Sequence, residues 1–347
     1  MTATAPGPAV DLSAYTPAVP DALIARLRAA RRILIVSHEN PDADTLGAAL
    51  GVRTIVGALG GEATAASTDP PPPLYDFLPG IDTVRQDPEP GVTYDLVVLV
   101  DCASTQRIGA IGERHADLFA STPRVTIDHH VSNDSTGEAD WIEPQAAATC
   151  EMVALLAART GVPLDAGDGA LATALMAGIV MDTATFAHPN ATPRTLTVSA
   201  ALVAAGAPLS EISRRLYRTK PDAQLKLFGR VLDRLESTPD GRVVWTHLLD
   251  HDYEATGSLR AHSEGIIDLL SQAEAAEVAI VFKQAGESET RISVRTKPGG
   301  VDATVLTGVF GGGGHARAAG ATVPHPLPEA TEAVVEVARR LAAGVVR

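Results

Sequence analysis

The 347-residue chain predicts an α/β protein: an N-terminal domain with a mostly parallel sheet flanked by helices, then a smaller C-terminal α/β domain. Three observations carry this reading. Short, β-rich apolar runs alternate with helix-spaced stretches over the first 206 residues. Beyond residue 228 strand-like runs become more frequent. Apolar residues are 45% and charged residues 20%, a balance that folds, and the length suffices for two cores.

Residues 1–20 lack the basic start and long apolar stretch of a signal peptide and read as a loose leader. The first domain is expected over 21–206. Arg31 and Arg32 lead into Ile33–Ser37, a run compatible with a buried parallel strand. Thr45–Leu59 reads as a helix, with Leu46, Leu50 and Ile55 near helical spacing. Asp95–Val100 is a second buried strand that runs into Asp101, and Arg124–Ile127 a third that runs into Asp128. Helical patterns follow at about 146–160, 167–181 and 193–206. Residues 207–228 read as a linker holding Pro208, Pro221 and the basic cluster Arg214, Arg215, Arg218 and Lys220. The second domain is expected over 229–347, with strands at Val243–Leu248, Val278–Lys283 and Arg291–Arg295 and a last helix from Glu329 to Ala343. Val305–Phe310 looks helical, and Ala318-Ala319-Gly320 opens a small-residue helix.

Composition narrows the function classes. A net charge of −14 excludes a broad basic surface for duplex nucleic acid. Aromatics at 4% provide no stacking platform for long single strands. A short anionic substrate stays compatible where metals and a local basic pocket offset the field. No apolar run reaches the roughly 18 residues of a membrane span. Cys102 and Cys150 alone indicate a reducing compartment without a disulfide framework, so the cytoplasm is the expected location.

Four acidic or histidine segments follow or close apolar runs: His38-Glu39-Asn40-Pro41-Asp42-Ala43-Asp44, Asp101, Asp128-His129-His130 and Asp182. Ligands of open α/β sheets gather at the carboxyl ends of strands, where the first three of these lie. Taken singly, each has a plainer reading. Asp42 and Asp44 can cap the helix that follows, Asp101 can serve a turn, and the two histidines can pair within a polar loop. Capping leaves His38 unexplained, and a carboxylate at Asp182 in an apolar helix is costly without a partner. Together the four segments supply oxygen and imidazole donors for two divalent cations, which points to metal-assisted hydrolysis of a phosphate ester. A Cys102 nucleophile is the weaker alternative, because no Cys–His–Asn pattern accompanies it.

On these residues, from about 20 to 325, the chain resembles the DHH phosphoesterase superfamily, and most of all its oligoribonuclease (nanoRNase) and pAp-phosphatase branch. The family's first motif matches His38 to Asp44 throughout, its third is Asp128-His129-His130, and its fourth is matched by Gly178-Ile179-Val180-Met181-Asp182-Thr183. The resemblance implies a DHH catalytic domain followed by a DHH-associated substrate domain, and two Mn²⁺ ions, with Mg²⁺ or Co²⁺ as substitutes. It places His38 and Asp42 on one ion, Asp44, His129 and Asp182 on the other, and Asp101 between them. It further implies that His130 contacts the scissile phosphate or moves a proton, and that Asp128 orients the histidines.

Gly311-Gly312-Gly313-Gly314-His315 is the second specific signal. Glycines let backbone amides approach an anion closely, and no Gly-Lys-Ser/Thr follows to make this a Walker loop. The segment resembles the Gly-Gly-Gly-His motif of the DHH-associated domain, which implies substrate contacts from Gly312, Gly313, Gly314 and His315. The resemblance implies that Arg295 grips a terminal phosphate or base, and Arg107, whose guanidinium suits bidentate phosphate contact, is a similar candidate from the first domain. Expected partners are short oligoribonucleotides or dinucleotides, pAp and, in some relatives, cyclic-di-AMP products. Neither duplex nucleic acid nor a membrane is an expected partner, and a homodimer suits the branch. Alternatives within the superfamily are an inorganic pyrophosphatase or polyphosphatase and a single-strand exonuclease. A non-catalytic nucleotide sensor is disfavoured by the intact ligand set.

Overall fold

Buried, branched apolar strands need cover on both faces, and that need sets the first unit. The structure, a computed structural model, describes residues 10–133, 135 and 137–344. The chain divides between Thr219 and Lys220 into two units. The first contains α1 (Asp21–Ala29), β1 (Arg32–Val36), α2 (Ala43–Ala58), β2 (Glu62–Ala66), β3 (Leu96–Val100), α3 (Ala110–Arg114), α4 (Ala116–Ser121), β4 (Arg124–Asp128), β5 (Trp141–Ile142), α5 (Thr149–Thr160), α6 (Ala170–Asp182), α7 (Pro193–Ala204) and α8 (Leu209–Tyr217). Its strands run parallel in the order β2-β1-β3-β4-β5. Ile33 and Ile35 pack into the main core on one face, while Leu34 and Val36 join a smaller cluster with Ile108 and Ile111 on the other. β2 and β5, which the sequence reading did not expect, carry weak apolar signals: Glu-Ala-Thr-Ala-Ala and two residues.

Helix α6 is buried from Leu171 to Val180 apart from Thr173, so it forms the centre of the helical layer. It meets α2 at glycines. A Cβ on Gly47 would lie 2.4 Å from the Ala174 carbonyl oxygen, and one on Gly178 would lie 2.5 Å from Asp44 Oδ1. Side chains there would push the helices apart and lift Asp44 from its seat.

Two boundary expectations change. Of the expected leader, residues 1–9 lie outside the described residues, but Leu12 and Val19 are buried in the first core, tying the chain down ahead of α1. Most of the expected linker is helical, as α8 and the second unit's α9 (Asp222–Leu232). Pro208 and Pro221 stand immediately before these helices and start them. Ile212 and Leu216 anchor α8 in its core, and Leu227, Phe228 and Val231 anchor α9 in another.

The second unit continues with β6 (Glu236–Ser237), β7 (Val243–Leu248), α10 (Asp250–Thr256), α11 (Ile266–Leu270), β8 (Val278–Gln284), β9 (Thr290–Thr296), α12 (Ala303–Gly308), β10 (Gly313–His315), β11 (Ala318–Val323) and α13 (Leu327–Ala342). Its mixed sheet runs β10-β11-β9-β8-β7-β6, with only β7 and β8 parallel. Alternation along β8 divides the core: Val278, Ile280 and Phe282 face one cluster with α13, Ala279 and Val281 another with α9 and α11. Ala318–Gly320 is strand, not helix. Glycine lets the neighbouring backbone approach: a Cβ on Gly312 would sit 2.2 Å from the Gly320 carbonyl oxygen, and one on Gly314 2.6 Å from that of Ala318. Pairing with β9 and β10 overrides the helix preference of alanine. Among the described residues no single helix is long and apolar enough to cross a membrane.

The helix contact gives a direct test. Gly47→Ala should lower stability by about 2–3 kcal/mol through overpacking. Gly57→Ala, on an open part of the same helix, should gain up to about 1 kcal/mol from propensity. Calorimetric unfolding of both variants checks the pair.

Candidate metal centre

The strand order reverses between β1 and β3, and at such a point the chain ends on both sides leave a crevice beyond the sheet. His38 lies beyond β1, Asp101 beyond β3, and Asp128 to His130 at the end of β4. The start of α2 and the end of α6 bring Asp42, Asp44 and Asp182 to the same place. Donor atoms of His38, Asp42 and Asp101 lie within 4.8 Å of one another, as do those of Asp44, His129 and Asp182. Asp101 connects the two groups: Oδ2 is 3.5 Å from His38 Nε2, and Oδ1 is 3.5 Å from His129 Nε2. His129 Nε2 is also 3.2 Å from Asp182 Oδ2.

Backbone carbonyls orient both ligand-like imidazoles. His38 Nδ1 donates to the Glu39 carbonyl at 2.7 Å and His129 Nδ1 to that of Ala146 at 3.2 Å. A carbonyl only accepts, so a proton sits on Nδ1 of each ring and Nε2 faces the carboxylates, where it would offer its lone pair to a bound cation. Among the described residues no hydrogen bond joins the Asp128 carboxylate to His129. Asp128 is wholly buried, accepts from Asn133 Nδ2 at 2.7 Å, and holds His130 Nδ1 at 2.7 Å. Of the two histidines, the Asp128 carboxylate is hydrogen-bonded to His130, whose Nε2 has no hydrogen-bond partner among the described residues.

Capping and ligand geometry coexist. Asp42 Oδ1 accepts from the N–H groups of Asp44 and Thr45 as the cap of α2, yet remains 4.0 Å from His38 Nε2. Asp44 caps a different helix. Its two oxygens accept from Thr149 N and Cys150 N at the start of α5, at 2.7 and 2.9 Å. Ala148 precedes that helix without a capping side chain, so Asp44 satisfies amides that would otherwise be orphaned.

Electrostatics fit a cationic occupant. Burial, then the charges of Asp101 and Asp182, raises the Asp44 carboxyl well above the usual range. Burial lifts Asp182 to about 6 against the pull of His129. Burial would raise Asp101 as well, but the His38 hydrogen bond and the three surrounding imidazoles hold it below its usual value. His129, despite burial, is pushed up to about 10 by its bond to Asp182 and the charges of Asp44 and Asp101. Carboxylates with imidazole are the donor set of hard to borderline divalent ions such as Mn²⁺. His38, Asp42 and Asp101 would hold one ion and Asp44, His129 and Asp182 a second.

Backbone strain gathers here too. Positive φ occurs at Asn40, at Asp101 and at the three consecutive residues Ala184, Thr185 and Phe186 just beyond Asp182. Thr183 braces the last turn, its hydroxyl donating to the Ile179 carbonyl and accepting from Phe186 N. Cys102 is buried, its thiol pushed up by burial to about 12, which leaves it no thiolate to attack with at neutral pH.

Sequence comparison agrees with this architecture. The model described as "DHH family, N-terminal domain" matches residues 32–179, and the DHHA1 domain matches 228–344. A bifunctional oligoribonuclease and PAP phosphatase, NrnA, of Thermus thermophilus is 33% identical over 312 residues, spanning 88% of this chain and 89% of that protein. This chain belongs to the DHH family. Its members are metal-dependent phosphoesterases, and this chain is a phosphoesterase of that family. The Bacillus subtilis protein of the same description is 26% identical over 84% of this chain and 89% of its own length. An exopolyphosphatase-related protein from Bacteroides fragilis shares the fold at a TM-score of 0.80, with 21% identity and coverage of 93% of this chain and 96% of its own.

The DHHA1 domain has its own cavity of about 500 Å³, lined by Lys283, Arg295, Asp268, Ser263, Ser293 and the backbone around Gly313, Gly314 and Ala318–Gly320. Arg295 lines this cavity, and its Nε donates to Asp268 at 2.9 Å. Gly312 instead packs against β11, and His315 is exposed on β10 without lining the cavity. In the DHH domain, the Arg107 carbonyl accepts from Glu39 N at 2.7 Å, which sets Arg107 beside the first ligand loop.

Sequence reasoning missed Asn133, Thr149, Glu151, Asn190 and Arg194. Glu151 had a readable signal, a lone carboxylate in an apolar helix, the same signal that marked Asp182.

Mn²⁺ should raise the unfolding midpoint by an amount equivalent to about 2.7 kcal/mol at 100 times its Kd, and EDTA should reverse the rise. Asp182→Asn should remove most of it. Identical midpoints with and without cation, measured by scanning calorimetry, would sink the metal centre.

Proposed function

We propose that this chain is a Mn²⁺-dependent phosphoesterase of short nucleotides, cleaving nanoRNA or pApA to mononucleotides and converting pAp to AMP. The observation that carries the reading is the pair of donor groups joined through Asp101. The substrate class draws support from the Thermus and Bacillus relatives, both described as oligoribonucleases and PAP phosphatases.

Two divalent cations, when bound, acidify a water and balance the charge of the phosphoryl oxygens. The chain's own residues supply the rest. Asp44, Asp101 and Asp182 are held rigidly enough by backbone amides, imidazoles and helix packing to keep their charge in place without rearrangement. The Asp128 hydrogen bond, against burial, keeps the His130 proton on the ring to a pH above the usual imidazole range. His130 Nε2–H is then a donor for a phosphoryl oxygen or for the departing ribose oxygen. In the DHHA1 domain, Lys283 and Arg295 suit a phosphate, while Asp268 and the serines suit sugar hydroxyls or base edges. Arg107 is the corresponding grip in the DHH domain. The acidic chain and the limited cavity favour substrates of a few nucleotides.

A Mn²⁺-supplemented panel of pAp, pApA, short RNA, cyclic-di-AMP and pyrophosphate tests the assignment. Turnover of pAp and of di- to short oligonucleotides is expected, and release from pyrophosphate alone would overturn it. His130→Ala should lower kcat by about 10²-fold or more while leaving the Mn²⁺-induced midpoint rise intact. Loss of that rise would make His130 a ligand instead.

A further inference from the structure

The five residues Ala146–Cys150 reach all of the second donor group and part of the first. The Ala146 carbonyl orients His129. The Thr149 and Cys150 amides seat Asp44, and the Thr149 hydroxyl donates to Asp101 Oδ1 at 3.0 Å. The Ala147 carbonyl accepts from Asn190 Nδ2 at 3.1 Å, and the same amide group donates to the Asp182 carbonyl at 3.2 Å. On the segment's side these contacts are backbone ones apart from the Thr149 hydroxyl and the Cys150 thiol, which donates to the Asp44 carbonyl at 3.3 Å, so the position of the backbone sets where the ligands stand.

That backbone is clamped from outside. Glu151 is wholly buried; one oxygen accepts from Ala147 N at 3.3 Å and from Thr195 Oγ1 at 2.7 Å, and the other from Arg194 Nε. Arg194 Nη1 donates to Glu143. Glu143 in turn stands at the opposite end of the segment: its amide donates to the Asp128 carbonyl and its carbonyl accepts from Ala146 N, both at 2.9 Å. One guanidinium on α7 thus closes the loop between the end of β5 and the start of α5. Without it, Glu151 would be left a fully buried carboxylate with no cation and Glu143 would lose its tie to α7, a cost relieved by protonation of Glu151 or by movement of the segment.

We propose that Arg194, acting through Glu143 and Glu151, is a positioning residue for the metal centre. The proposal rests on the metal-centre reading above. It adds that ligand geometry is set from a charge cluster that contains no ligand.

Mn²⁺ alone, titrated into the full-length protein and followed by electron paramagnetic resonance and calorimetry, tests it. Arg194→Gln should weaken Mn²⁺ binding by about 10–100-fold, with Arg194→Lys recovering part of the loss. Glu143→Gln, which keeps the shape of the site, should weaken binding in the same direction by a smaller factor and serves if Arg194→Gln fails to fold. Leu202→Ala, a core truncation on the same helix, should lower the unfolding midpoint yet keep wild-type Mn²⁺ affinity. Wild-type affinity in Arg194→Gln and Glu143→Gln, or an equal loss in Leu202→Ala, overturns the proposal and leaves the metal centre standing. Failure of the wild-type chain to bind Mn²⁺ overturns both.

Discussion

Crowding of like charge is the constraint on which the first unit depends. Asp42, Asp44, Asp101 and Asp182 converge at the carboxyl edge of one sheet, and Asp44 and Asp101 are buried. Carboxylates removed from water need compensation, and here it comes from helix amides, a hydroxyl and imidazoles, with His129 shared between Asp101 and Asp182. Asp42 and Asp44 take amides from the starts of two different helices. Asp101 takes the Thr149 hydroxyl and imidazole neighbours, and Asp182 takes His129. The close crossing of α2 and α6 at Gly47 and Gly178 follows from the same need, because a larger residue at 178 would occupy the space of the Asp44 carboxylate.

The legible part of this site was the part written in side chains near strand ends. His38 to Asp44 are contiguous, Asp101 and Asp128 close apolar strands, and Asp182 is a lone acid in a helix that is otherwise apolar. The illegible part is held by backbone. No residue type announces that the carbonyl at Ala146 will orient His129, or that amides at Thr149 and Cys150 will seat a carboxylate more than one hundred positions earlier. Arg194 and Glu151, 43 positions apart, form a pair only because α5 and α7 pack together.

The fold shows the same division. Strands rich in Val, Ile and Leu were readable, whereas Glu62–Ala66 and Ala318–Val323 were not, since alanine and glycine carry no β signal of their own. Ala318–Val323 is a strand where the glycine-run backbone approaches it closely, and Glu62–Ala66 is one through its parallel pairing with β1. Prolines 208 and 221 suggested a linker for a related reason: the same residue that breaks a chain also begins helices, and only the buried Ile212, Leu216, Phe228 and Val231 tell the two uses apart. In the DHHA1 domain the glycine run has two uses, with Gly312 and Gly314 serving close strand contact and Gly313 and Gly314 lining the cavity.

The left-handed run Ala184–Phe186 has a consequence for modularity. Each such residue carries a conformational penalty of roughly 1–2 kcal/mol, so the run keeps its shape only where outside contacts hold it. Those contacts come from the Thr183 hydroxyl, from Ser213 on α8 opposite Thr185, and from Asn190 at the Asp182 carbonyl. The segment around Asp182 is therefore not a cassette. Grafted onto another helix end it would keep its letters and lose its geometry, and a search for the activity by short motif alone would accept chains that cannot build the site.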